Sequence, residues 1–282
     1  MDGAAPLTEG ILNHVRRDSL VNRRFVFPGD EVNTGKFEPH RVAIRNARIA
    51  NPRPTLATHG FELFQHKSAV RNFADVAEID AIYPGEIVEA IKSITGADLV
   101  VTIGATLRTS ADTSSGAKQP PAADVHCDTS PTHGPKLAHT LFQPHAAEGK
   151  RYRRSLVTSL WRTYSPAPQD WPLALCDGNS IAPEEGVHNY LVRTPSRPTP
   201  EEMSAPIEGE EDLPSALIFR HGPHHRWYYY PDMTRDEIVV IKLNDSDHAQ
   251  TWFAPHTAFH DQGRAGTHPR ESIEFRSVAY WL

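Results

Sequence analysis

Residues 271–282 read Glu-Ser-Ile-Glu-Phe-Arg-Ser-Val-Ala-Tyr-Trp-Leu, with Ile273 and Phe275 alternating against Ser272, Glu274 and Arg276. A period of two marks a strand with one face on a core, and the aromatic content suits a pleated surface. Upstream the same kind of run recurs: ADVHCD (123–128), SLVTSLWRTY (155–164), PLALCD (172–177), VHNYLVR (187–193), SALIFR (215–220), RWYYY (226–230) and DEIVVIKL (236–243). Turn signals separate these runs, and one helix is expected at 134–148, with Pro144 kinking or ending it. So many short strands predict a mainly β fold with flanking helices, built on a sandwich or jelly-roll core.

The first hundred residues read as a mixed α/β segment packing on that core, so that 1–100 and a catalytic core of 101–282 make one structural unit. HRVAIRNAR (40–48) and GFELFQH (60–66) are strand candidates. Between Tyr83 and Gly96 the spacing predicts a helix: Pro84 suits its first turn, Ile87, Val88, Ile91 and Ile94 form one stripe, and Gly96 suits the position past its end. ADLVVTIGATLR (97–108) follows as a buried strand. Residues 109–124 and 194–213 can bury little apolar surface and read as mobile surface loops. The second carries six carboxylates and reads as a solvated insertion, with a lid as the alternative.

Composition narrows the function. A formal charge of -6 gives no footprint for nucleic acid or anionic lipid. No run of apolar residues is long enough to span a bilayer, and the first twenty residues lack the uninterrupted apolar segment of a secretory signal. Cys127 and Cys176 allow at most one disulfide. A cytoplasmic protein acting on a small molecule is the expectation. The 16 histidines raise the question of a metal site, and the 24 prolines favour many loops over long helices.

In a strand, residues i and i+2 share a face, so His126-Cys127-Asp128 sets an imidazole beside a carboxylate. With 16 His and 17 Asp among 282 residues, about one His-x-Asp arises by chance, and the chain holds one; the motif needs context. His256 supplies part of it, lying in the otherwise apolar and aromatic run Trp252 to Phe259, where an unpartnered ring is costly. A carbonyl-bonded core histidine is the plainer alternative. Arg270 and Ser272 then share a strand face, and a guanidinium beside a hydroxyl is a natural carboxylate receptor, although a strand-end ion pair would equally use such an arginine. Two histidines and one carboxylate make the facial triad of non-heme Fe(II) oxygenases, which leaves coordination positions open.

The order His126-x-Asp128, about 130 residues of strands, His256, then Arg270-x-Ser272 is similar to that of Fe(II)/2-oxoglutarate oxygenases with a double-stranded β-helix core, the cupin-like jelly roll. The chain further resembles, over nearly its whole length, the fungal AsaB/CmcJ-like hydroxylase/desaturase family that includes aspergillic-acid hydroxylase and gibberellin desaturase. The segments that carry the likeness are Thr58 to Leu63, Tyr83 with Thr95-Gly96-Ala97, Val125 to Asp128, Leu160-Trp161-Arg162, Pro172 to Asp177, Tyr229 to Met233, Asp245-Ser246, Pro255 to Phe259 and Arg270 to Arg276. One departure stands out: where the family usually carries Asn ahead of Trp161-Arg162, this chain has Ser159-Leu160.

The resemblance implies Fe(II), 2-oxoglutarate and O2, with hydroxylation or desaturation of a small molecule in secondary metabolism. It makes His126, Asp128 and His256 the iron ligands, and Arg270 with Ser272 the holder of the distal 2-oxoglutarate carboxylate, with Arg276 as runner-up on the same face. Trp161 and Arg162 are candidates for contact with substrate or cosubstrate, with an ordinary ion-paired side chain as the alternative for Arg162. The alternative is a jelly-roll metal-binding protein, or an iron enzyme that does not use 2-oxoglutarate. Of the remaining residues, His221, His224 and His225 (HGPHH) could bind a divalent metal but read as solvated rings on a hairpin turn. Tyr228 to Tyr230 read as core, and Cys127 has no base beside it to make it a nucleophile.

Overall fold

The computed structural model describes residues 7–111 and 118–282, so residues 112–117 of the 109–124 loop lie outside the described residues. Strands β1 (Leu7–Val15), β2 (Arg23–Phe27), β3 (Asp30–Asn33), β4 (Phe37–Asn46) and β5 (Phe61–Gln65) precede helix α1 (Val76–Thr95). They are followed by β6 (Leu99–Thr109), β7 (His126–Cys127), α2 (His133–Ala147), β8 (Arg154–Thr163), β9 (Leu173–Cys176), β10 (Gly186–Arg193) and α3 (Pro200–Ser204). The chain ends with β11 (Ser215–Phe219), β12 (Trp227–Tyr229), β13 (Glu237–Asp245), β14 (His256–Ala258) and β15 (Glu271–Trp281).

Among the described residues the strands form two sheets, a larger one in the order β1-β4-β12-β9-β14-β7-β11-β10-β2-β3 and a smaller one in the order β5-β13-β8-β15-β6. Strands far apart in the chain, such as β7 and β14, lie side by side, which is the interleaving of a jelly roll. The first hundred residues are woven into both sheets: β1 and β4 extend one edge of the larger sheet, β2 and β3 the other, and β5 borders the smaller.

The smaller sheet is covered on both faces, and its alternation separates two cores. Val157, Trp161, Val239, Ile241, Leu243, Val278 and Tyr280 face the larger sheet, whereas Leu156, Leu160, Ile238, Val240, Ile273, Phe275 and Ala279 pack against α1. Each fully buried Val, Leu, Ile or Phe contributes roughly 1.5–3 kcal/mol. Helix α2 closes one end through Ala138 and Phe142, and the Tyr280 hydroxyl donates to the Ala138 carbonyl at 2.7 Å. No helix of the described residues is long and apolar enough to cross a membrane.

Three expectations change. Helix α1 begins at Val76, with Asp75 accepting from the Ala77 and Glu78 amides, so Pro84 lies within the helix rather than in its first turn. Ile79 and Tyr83 continue the buried stripe of Ile87 and Ile91, and the Asp80 carbonyl that Pro84 cannot bond belongs to an exposed residue. Gly96 does end the helix, in the left-handed region at φ 70°. Strand β6 is an edge strand with residues 103–105 exposed, not a buried one. Residues 194–213 carry α3 and a turn at Glu210–Asp212, fastened by buried Arg23, whose guanidinium donates to the Met203 and Ala205 carbonyls and pairs with Glu210.

Arg162 locks α1 to the smaller sheet. Its side chain is wholly buried, with Nε donating to the Tyr83 hydroxyl at 3.1 Å and Nη1 to the His66 carbonyl at 3.0 Å, and with the Arg235 carbonyl and His66 Nδ1 as further acceptors. Arg162→Ala should lower the free energy of urea unfolding by about 1–3 kcal/mol for each buried acceptor it orphans. An unchanged midpoint would mean that these bonds do not hold the helix.

Candidate metal centre

The site forms where β7 meets β14. In their antiparallel register His256 stands directly opposite His126, so the two rings project from one face with centroids 4.6 Å apart. Two residues after His126 on the same face, Asp128 places Oδ1 3.6 Å from His126 Nε2 and Oδ2 3.9 Å from His256 Nε2. One donor atom from each residue lies within 4.8 Å of the other two, a spacing that one ion can span.

Local backbone fixes which nitrogen each ring presents. His126 Nδ1 lies 2.7 Å from the Asp124 carbonyl and His256 Nδ1 3.2 Å from the Ala254 carbonyl. A carbonyl only accepts, so both Nδ1 atoms carry hydrogen, and both Nε2 lone pairs are left for a ligand. Burial, and then the neighbouring His126 ring, push His256 down to about 4, so it is neutral at pH 7. Burial works against ionising Asp128, but the Arg276 guanidinium, then His256 and His126, outweigh it and hold the carboxyl well below the usual range. Two imidazoles and a carboxylate are the donor set of a divalent transition metal. Asp128 Oδ2 is buried without a hydrogen-bond partner, as a position reserved for such an ion would be.

The two arginines of β15 and its approach differ. Arg276 Nη2 donates to Asp128 Oδ1 at 3.1 Å and to Glu274 Oε1 at 2.5 Å, so its charge is already spent on two carboxylates. Arg270 is fully buried; Nη1 donates to the Trp171 carbonyl at 2.8 Å, while Nε has no partner and no acid forms an ion pair with it among the described residues. Its guanidinium carbon lies 5.6 Å from the Trp161 ring centroid. Burial, then Arg108, lower Arg270 to about 9, against the opposing pull of the Asp170 and Glu274 carboxylates. Ser272, two residues on, is buried with its hydroxyl unpaired. These orphaned donors fit an anion, and a carboxylate matches the guanidinium fork.

His126, His256, Trp161, Arg270, Leu173 and Ile241 line one cavity between the sheets, together with Ser159, Ala258, Glu274, Arg108 and Ala122. The expectation for Arg162 is corrected: neighbours on a strand face opposite ways, so Trp161 faces the cavity while Arg162 is consumed beneath α1. Arg108, whose Nε lies 3.8 Å from Glu274 Oε2, and Glu274 itself escaped the sequence reading; Glu274 was signalled by sharing the face of Ser272 and Arg276. Ser159 lines the cavity where the resembled family carries Asn near Trp161. No residue of 194–213 lines it, and Tyr228 to Tyr230 belong to the core. Cys127 donates to the Leu243 carbonyl at 3.3 Å, and burial pushes its thiol up to about 12.

A family profile described as "Oxidoreductase/YMDC permease-like domain" matches residues 16–280. The "Fe(II)/2-oxoglutarate-dependent dioxygenase nvfI" of Aspergillus novofumigatus is 28% identical over 94% of this chain and 91% of its own length. The "Hydroxylase/desaturase CTB9" of Cercospora beticola is 30% identical over 90% of this chain and 82% of its own. Among solved structures, the "iron and alpha-ketoglutarate-dependent endoperoxidase NvfI" aligns with a TM-score of 0.80 at 25% identity, over 98% of both chains.

The site carries a pH signature. In the unfolded chain a histidine takes up a proton near pH 6.5, whereas folded His256 resists until about 4, and His14, pushed to about 3 by burial and then His221, acts in the same direction. Below pH 6.5 the unfolded chain therefore binds more protons, and metal-free stability falls as pH drops toward 4, each such ring contributing up to about 1.4 kcal/mol per pH step. His256→Gln should flatten that decline when urea midpoints are followed from pH 7 to 4; a decline as steep as wild type would exclude the ring as a source.

Proposed function

This chain belongs to the oxidoreductase family matched over residues 16–280, with fungal Fe(II)/2-oxoglutarate-dependent dioxygenases and hydroxylase/desaturases as relatives, and we propose that its chemistry is centred on His126, Asp128 and His256. It is a non-heme Fe(II)/2-oxoglutarate-dependent oxygenase that hydroxylates or desaturates a small molecule in secondary metabolism. Bound ferrous iron, together with 2-oxoglutarate and O2, supplies the oxidising power to break a C–H bond, the cosubstrate leaving as succinate and CO2.

The protein's part follows from the residues. His126, Asp128 and His256 would hold the metal from one side, their Nε2 atoms freed by the carbonyls of Asp124 and Ala254. Arg276 keeps Asp128 ionised and turned toward the histidines. Arg270, lying against Trp161 and joined by the Ser272 hydroxyl, would receive the distal carboxylate of 2-oxoglutarate. Ile241, Leu173, Ala258 and Trp161 give the cavity apolar walls that exclude water and orient the substrate. The observation that carries this reading is the direct opposition of His126 and His256 across β7 and β14, with Asp128 between them. The formal charge of -6 argues against a nucleic-acid partner, and a cytoplasmic location is part of the proposal.

Anaerobic addition of Fe(II) and 2-oxoglutarate should produce the weak visible charge-transfer band of the chelate, and its absence in folded protein would sink the site assignment. His126→Ala and His256→Ala should each abolish succinate formation. Arg270→Ala should weaken 2-oxoglutarate binding by about 2 kcal/mol or more, roughly thirtyfold. Arg276→Ala should instead act mainly on retention of Fe(II); equal effects of the two variants on 2-oxoglutarate would show that the carboxylate is shared.

A further inference from the structure

A second cluster of metal-ligand side chains lies outside the cavity, and it includes the HGPHH segment. His224 Nε2 lies 3.1 Å from Glu185 Oε1, and His225 Nε2 3.2 Å from the same oxygen. One donor atom from each of the three residues lies within 4.8 Å of the others. Tetrahedral ligands bound at about 2.0–2.1 Å from a zinc ion stand roughly 3.3 Å apart, so the carboxylate oxygen already sits at ligand-to-ligand distance from both nitrogens. His224 is exposed, which leaves a fourth position to solvent, whereas the His225 side chain is 1% exposed.

The surroundings pack closely on these rings. The ring centroid of His14 lies 6.2 Å from that of His225. Gly222 has no space for a side chain: a Cβ there would come within 2.6 Å of His225 Nε2 and 2.7 Å of the His224 ring. Behind the pair, His221 stacks on His40 at 4.1 Å and meets His14 edge-on at 5.2 Å. Five imidazoles are thus gathered with two carboxylates, Glu185 against His224 and His225 and Glu38 3.2 Å from His40 Nε2. The expectation of solvated rings holds for His224 and fails for buried His225.

We propose that Glu185, His224 and His225 form a second site, separate from the catalytic centre, for a divalent ion of the zinc class. Imidazole with carboxylate suits late first-row transition metals, not calcium or magnesium. The ion would fasten the turn between β11 and β12 to the Pro183–Glu185 turn that leads into β10. The site shares no residue with the iron centre, but β11 touches both, since Ile218 pairs with His126 and the chain then runs into His221.

Cobalt titration of the metal-free protein separates the two sites. Wild type should bind two Co(II), the His126→Ala/His256→Ala double variant one, and that remaining ion should show the strong visible bands of four-coordinate cobalt. In the double variant Zn(II) should raise the melting temperature, as a ligand bound only by the folded state does. Adding His224→Ala, an exposed change, or Glu185→Gln should lower affinity by more than the ~10–100-fold that outer-shell changes cost. In the wild-type background His224→Ala should bind one Co(II) and keep succinate formation unchanged. If the double variant binds no cobalt, or binds it equally well with His224 or Glu185 replaced, the proposal is overturned, whatever the fate of the iron site.

Discussion

Everything at the candidate metal centre depends on one cross-strand pairing, His126 against His256. Strands of two and three residues cannot hold themselves; they are held by neighbours, β11 beyond β7 and β9 beyond β14. The ladder therefore sets the distance between the rings, and the carbonyls of Asp124 and Ala254 set their orientation. Shifting either strand by one residue would turn its histidine to the other face of the sheet. The large sheets serve to hold that register.

Charge is arranged with the same economy. The face of β15 that looks into the molecule presents Ser272, Glu274 and Arg276, with Arg270 just before it, and the two arginines are set apart by their neighbours. Arg276 has two carboxylates within hydrogen-bond reach on the side of Asp128; the Arg270 guanidinium has a backbone carbonyl, an aromatic face and, among the described residues, no ion-paired carboxylate, so it is the cation with more attraction to spare. Identical side chains six residues apart thereby acquire different tasks from their surroundings.

The sequence made the strands of the core legible because their alternation is strong, and it pointed to the His126, Asp128 and His256 cluster because His126-x-Asp128 and the apolar setting of His256 carry local chemistry. The start of α1 was readable in Asp75 and Glu78 but was masked by a proline that suits a first turn equally well. Trp161 and Arg162 could have been told apart from the sequence, since adjacent strand residues cannot share a cavity. Two features were not assembled by any local pattern, although HGPHH was visible as a possible metal-binding segment. Arg108 enters the cavity from an edge strand, and the histidine cluster draws on β1, β4, the turn before β10 and the turn after β11, segments that meet only in the finished fold.

The alternation of β8 reaches further than the cavity. Trp161 forms part of the wall and the surface behind Arg270, while its neighbour Arg162 is bolted through Tyr83 to α1. Wall and helix are thus consecutive residues of one strand, so a shift of the helix tilts an indole that the helix never touches. In this chain the outer helix is thereby coupled to the pocket wall through one strand, a remote adjustment screw for the shape of the pocket.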